Sequence, residues 1–127
     1  MKKILILLLA ITICFSLFSK EEKKPAPKKK PLVTFLEIGA ETCIPCKMMK
    51  PVMKDIQDEY KDKIDVIFHD VSKDRLIGQK YNIRVIPTQV FLDQDGKEFH
   101  RHEGFYPKEE IMKIVDPKMG IKRKTEK

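Results

Sequence analysis

Cys43 and Cys46 stand two residues apart in the run Glu41-Thr42-Cys43-Ile44-Pro45-Cys46-Lys47, after a strand-like apolar stretch and at the start of a helix-like one. Two thiols so spaced at a helix start can form a disulfide across one turn. The first gains from the setting, because unpaired backbone N–H groups and the positive end of the helix dipole favour its thiolate. A free cysteine titrates near pH 8.5, and pairs of this kind bring that down to roughly 3.5–7.5. Cys43 is therefore the expected attacking sulfur. Cys46, one turn further in and followed by Met48 and Met49, is expected to be less exposed and to resolve a mixed disulfide by attacking Cys43. Pro45 fixes one backbone angle and lacks an N–H, which suits a first helical turn. Glu37 is the next candidate, alone among Val33, Phe35, Leu36 and Ile38 in a run expected to be buried. A buried carboxyl without a cationic partner has a raised pKa and can exchange a proton with Cys46. The alternative is a frayed strand end that lets Glu37 reach water.

Other uses of two such cysteines fit less well. A zinc site needs four ligands, and the only other cysteine, Cys14, lies in an N-terminal apolar segment. Nothing in the spacing of His69, His100 and His102 directs them toward Cys43, so no metal is expected. A c-type haem attachment requires histidine where Lys47 stands. A purely structural disulfide would close a loop too short to constrain the unfolded chain much. Met48, Met49 and Met53, at helical spacing, read as core and not as a copper-binding set. The rival from another class is a non-catalytic metal-binding or metallochaperone module built on Cys43 and Cys46.

The elements that must position these residues follow from periodicity. Leu32 to Ile38 is apolar on both alternating faces, as in a strand covered on both sides. Cys46 to about Lys61 carries Met49, Val52, Met53, Ile56 and Tyr60 at helical spacing. Ile64 to His69 is a second strand, and Ser72 to Lys80 a short helix with Ser72 as its expected cap. Gln89–Leu92 and Glu98–His102 form a hairpin around Asp93-Gln94-Asp95-Gly96. A last helix runs from Pro107 to Val115. The order βαβαββα implies an α/β fold with a four-stranded mixed sheet flanked by helices.

Outside this unit the chain changes character. Lys2 and Lys3 precede a charge-free apolar run from Ile4 to Phe18, which reads as a secretory signal and is short for a membrane span. Residues 1–19 are thus a signal peptide cleaved after Ser19 or an uncleaved anchor. A third reading is lipidation at Cys14, after Ile11-Thr12-Ile13 in place of the usual small residue. Residues 20–31, KEEKKPAPKKKP, form a solvated Lys/Pro-rich tether, and 118–127 a basic frayed tail. The net charge of +7 is confined to these ends. Residues 1–31 hold eight lysines against two glutamates, and 118–127 five basic residues against one acid, whereas 32–117 hold 13 basic and 16 acidic residues. A mildly acidic domain removes the support for a nucleic-acid partner. The basic tether keeps association with an anionic membrane surface open.

With these features in place, residues 32–116 resemble the thioredoxin superfamily. The resemblance rests on Cys43-Ile44-Pro45-Cys46-Lys47, Pro51 within the first helix, Tyr81-Asn82-Ile83-Arg84-Val85-Ile86-Pro87-Thr88, and the hairpin ending at Gly104. It implies a minimal thioredoxin fold and a thiol-disulfide oxidoreductase, acting as a monomer on protein disulfide or thiol substrates with no bound cofactor beyond the redox-active Cys43–Cys46 disulfide. It also implies that Pro87 is a cis proline against that disulfide. The Ile86 backbone would then dock an extended substrate, with Thr42, Ile44 and Pro45 beside it. Three positions depart from the family pattern: Thr42 and Gly39 stand where aromatics are usual, and Phe68 where a lysine commonly neighbours the buried acid. The first strand and helix of the full-length fold are expected to be missing. Proline before Cys46 and the buried acid are similar to reducing members. That direction would require a membrane thiol-electron carrier, and tethered relatives make apocytochrome c one candidate substrate. An oxidase or isomerase on the same fold is the alternative. The expected location is the bacterial periplasm or the outer face of the cytoplasmic membrane.

Overall fold

The computed structural model describes residues 30–123. The expected signal or anchor, residues 20–29 of the tether, and the chain from residue 124 onward lie outside the described residues. The elements, in chain order, are β1 (Val33–Gly39), α1 (Ile44–Tyr60), a 3-10 turn (Lys61–Lys63), β2 (Ile64–Asp70), α2 (Arg75–Lys80), β3 (Thr88–Asp93), β4 (Glu98–Glu103) and α3 (Lys108–Lys118). The sheet order is β2-β1-β3-β4, with β1 parallel to β2 and β3 antiparallel to both β1 and β4. This is the α/β arrangement expected from the sequence.

Central position explains why β1 is apolar on both faces. Val33 and Phe35 join Met49, Ile56 and Tyr60 of α1, Phe91 of β3, and Ile111 and Val115 of α3 in one core, where the Phe35 and Phe91 rings stack 4.7 Å apart. On the opposite face Leu36, Ile38 and Val90 pack against Ile67, Val71, Ile77, Tyr81 and Ile83. Glu37 and Gly39 alternate with Val33 and Phe35, so they face α1. The hairpin turns at Gly96, whose φ of 78° is the left-handed backbone that glycine adopts without steric cost.

Local details depart from the expectations. The cap of α2 is Asp74, which accepts from the Leu76 N–H at 3.0 Å; Ser72 is instead drawn back to Asp70 at the end of β2. Helix α1 begins before Cys46, with Cys43 as its N-cap and Pro45 in the first turn. Met48 is exposed, because it lies about 100° around the helix from Met49. The chain after Lys118 was expected to fray, yet Met119 and Ile121 pack on the first core. Arg123 bonds Asp116 at 2.6 Å and Glu59 at 2.7 Å, and the Asp116 carboxylate also accepts from the Tyr60 hydroxyl at 2.6 Å. His100 and His102 are half-buried beside Tyr106. His100 Nε2 lies 3.1 Å from the Tyr106 hydroxyl, and the His102 ring stacks on Tyr106 at 4.0 Å.

Candidate active site

The end of β1 and the first turn of α1 bring the two cysteines together as a disulfide, with Cα atoms 5.2 Å apart. Cys43, the N-cap, is half-buried, and its sulfur accepts from the Cys46 N–H at 3.3 Å. That contact is made to Cys43 and not to Cys46, and it holds the N-cap sulfur at the positive end of the helix. Cys46 is 2% exposed and lies against β1. A β-carbon added at Gly39 would fall 2.8 Å from Cys46 Sγ and 3.1 Å from its Cβ. Glycine at this strand end therefore lets the buried cysteine close on the backbone.

Glu37 is the next residue on that face, about 6.5 Å back along the strand. It is fully buried, as is Gln89, its cross-strand partner on β3. The Gln89 amide donates to Glu37 Oε2 and to the Gly104 carbonyl, each at 3.0 Å. Phe68 of β2 flanks Glu37 on its other side, and among the described residues no cation acts on the carboxyl. Burial therefore pushes the Glu37 carboxyl up to about 8, with the Gln89 N–H offsetting part of the rise. Glu37 Oε1 and Gln89 Oε1 are buried without hydrogen-bond partners among the described residues.

The Ile86–Pro87 peptide bond is cis. Pro87 precedes Thr88, the register partner of Ile38, so it falls beside Gly39 and hence beside the disulfide. Its carbonyl accepts from the Gly104 N–H at 2.7 Å, while Ile86 makes no backbone hydrogen bond among the described residues. Around this rim Thr42 and Pro45 are exposed, and Ile44, Val85 and Phe105 are 72%, 49% and 40% exposed.

Thus Cys43, Cys46, Glu37, Thr42, Ile44, Pro45, Ile86 and Pro87 gather around the C-terminal end of the central strand β1. Gln89, Gly104, Val85 and Phe105 were not anticipated there. For Gln89 a signal existed: it is a lone amide in the apolar strand Val90-Phe91-Leu92, as Glu37 is a lone acid in β1. Among the described residues no group of three or more His, Cys, Asp or Glu side chains is arranged to hold a metal ion, and His69 stands on β2, at the opposite sheet edge from His100 and His102.

Comparison with known proteins agrees with this geometry. The chain is 32% identical over 84 residues to thioredoxin from Staphylococcus aureus, covering 66% of this chain and 80% of that relative. Its fold is similar to that of a mutant thioredoxin from Halobacterium salinarum, with a TM-score of 0.65 and 22% identity over 73% of this chain and 80% of that one. It is likewise similar to chloroplastic thioredoxin z, with a TM-score of 0.65 and 23% identity over 72% of this chain and 81% of that one. The family model described as Thioredoxin matches residues 16–117, most of the chain, and together with the Cys43–Cys46 disulfide it settles the class: this protein belongs to the thioredoxin family and is a thiol-disulfide oxidoreductase.

Proposed function

We propose that the protein is an exported reductant of protein disulfides, working in the periplasm or on the outer face of a bacterial cytoplasmic membrane, where residues 1–31 deliver or hold it. The observation that carries this reading is a half-buried Cys43 at a helix start, paired with a buried Cys46 on the same sheet face as a buried acid that has no cationic neighbour among the described residues. In the reduced protein the Cys43 thiolate attacks one sulfur of a partner's disulfide. The partner's S–S bond breaks, and its other sulfur leaves as a thiolate that takes up a proton. Cys46 then gives its proton to the Glu37 carboxylate and attacks Cys43 Sγ, breaking the mixed disulfide. The partner's second sulfur leaves as a thiolate and takes up the proton that Glu37 gives back, so the partner departs as a dithiol, two electrons have moved, and Cys43–Cys46 is again a disulfide. The cycle needs no other cofactor. Its reset takes two electrons and two protons from a dithiol donor, which for an exported protein is a carrier in the membrane.

What surrounds the sulfurs supports the reducing direction. A strongly oxidising couple is one whose reduced form is stabilised. Ile44 and Pro45 between the cysteines bring no charge or side-chain donor to a thiolate. The unbonded Ile86 peptide groups serve to pair with an extended partner segment, and Thr42, Ile44, Pro45 and Pro87 line its approach. In the full chain, Cys46→Ser incubated with a disulfide-bearing protein such as insulin should accumulate a thiol-cleavable adduct through Cys43, and Cys43→Ser should form none. Equal adduct yields from both variants would remove the assigned roles. Labelling of the protein in intact cells by a membrane-impermeant thiol reagent tests the location.

A further inference from the structure

We propose that Gln89 is a positioning residue for proton transfer: its amide fixes which oxygen of Glu37 carries the proton and ties that acid to the Gly104 backbone beside Pro87. The inference rests on the proposed role of Glu37 and extends it to a side chain outside the cysteine motif.

The orientation of the amide is forced. The Gly104 carbonyl only accepts hydrogen bonds, so the group 3.0 Å from it must be the Gln89 NH2, whose second hydrogen then meets Glu37 Oε2 at 3.0 Å. Both hydrogens of that nitrogen are spent. The oxygen that accepts an N–H is the better carbonyl oxygen of a protonated carboxyl, so the Gln89 bond to Oε2 favours Oε1 as the atom at which Glu37 takes up and releases its proton. That atom is buried and has no partner among the described residues, as expected of a site kept clear for exchange. Gly104 completes the link, because its φ of 90° turns its N–H to the Pro87 carbonyl at 2.7 Å while its own carbonyl holds Gln89. The acid is thereby connected through two residues to the loop beside the disulfide.

The surroundings leave Gln89 as the group that tunes Glu37. Its register partners are the apolar Phe68 on β2 and Gln89 on β3, while Cys46 of α1 packs on Gly39, the next residue along the same face. From β4, His102 occupies the same cross-strand row, with its Nε2 turned to the Phe105 carbonyl at 3.2 Å. A cation in place of Gln89 would hold Glu37 ionised, and an apolar residue would leave both oxygens bare. A neutral amide donor lowers the carboxyl only partway, so that it still titrates within the working range.

The test uses the full chain, reduced, with the aromatic disulfide of thionitrobenzoate as probe. Cys43 attack releases one coloured thiolate in a first phase. In the second phase Cys46 passes its proton to Glu37, forms the Cys43–Cys46 bond and expels the other thiolate. Gln89→Met, similar in volume and without a donor, should leave the first phase unchanged and slow the second several-fold at pH 7. The pH midpoint of the second phase should move upward by about one unit, the worth of one hydrogen bond to a carboxylate. Glu37→Gln separates the two ideas: if it does not slow the second phase, the role of Glu37 fails; if it does while Gln89→Met matches wild type, only the role of Gln89 fails. A measurement on the wild type needs no variant. The Gln89 side-chain amide resonances should shift with the same midpoint as the Glu37 carboxyl carbon, and resonances that stay still through that titration would overturn the proposal.

Discussion

Replacing Glu37 by glutamine preserves volume and a carbonyl that accepts from Gln89, while removing the ability to ionise. Burial raises this carboxyl from 4.5 to about 8, so between those values the folded chain holds a proton that the unfolded chain has lost. Wild-type stability therefore falls as pH rises through the window, and the cost is complete only above pH 8. Worked from those two values, ionisation costs about 3 kcal/mol at pH 7 and on the order of 5 kcal/mol at pH 9. Guanidinium unfolding of the oxidised full-length protein, wild type and Glu37→Gln, at intervals from pH 4.5 to 9 reads the effect, because every other titrating group cancels in the difference. The stability of Glu37→Gln relative to wild type should climb by about 3 kcal/mol between pH 4.5 and 7 and flatten near pH 9. A difference that is constant with pH would refute a buried, unpaired acid at this position and restore the frayed strand end.

Other substitutions probe the packing around the site and the chain's end. Gly39→Ala, ordinarily neutral or helpful in a strand, should destabilise the oxidised protein by about 1–3 kcal/mol, because the new methyl meets Cys46 Sγ at 2.8 Å; a stabilised variant in the same denaturation assay would contradict that contact. Tyr60→Phe removes the buried hydroxyl that donates to Asp116 at 2.6 Å and should cost about 1–2 kcal/mol in thermal or denaturant unfolding. Arg123→Ala should cost about 1 kcal/mol at low salt, and the gap from wild type should narrow in 1 M salt as screening weakens the pairs with Asp116 and Glu59. Ile111→Ala, at a fully buried core position, should cost about 2–5 kcal/mol with no effect on the sign of the Glu37 pH dependence.

The features legible in the sequence were those written in one local signal. The apolar run of β1, the periodic face of α1 and the glycine of the hairpin each set an element by short-range chemistry, and two cysteines at a strand-helix junction announced the site. What escaped depends on contacts between distant segments. The apolar strand around Gln89 marks it as a lone buried amide, but its partners Glu37 and Gly104 are set only when β3 pairs with β1 and the Gly104 loop folds over. The tail beyond Lys118 reads as solvated because basic residues dominate it, yet Ile121 and the acidic pair Glu59 and Asp116 give it somewhere to dock. Ser72 was expected to cap α2, but Asp70 at the end of β2 captures it and Asp74 takes the cap position. Met48 was misjudged by one residue of helical phase, since Met49, Met53, Ile56 and Tyr60 already complete the inward face.

The most direct test of a disulfide reductant is the reduction potential of the Cys43–Cys46 couple, measured on the full chain equilibrated in graded thiol buffers with the thiols counted at each step. A single reversible two-electron couple nearer the roughly −270 mV of thioredoxins than the roughly −120 mV of strong oxidants is the expected result. A value close to −120 mV would reverse the proposed direction of electron flow, and a pair of cysteines that shows no reversible couple at all would contradict the redox role itself.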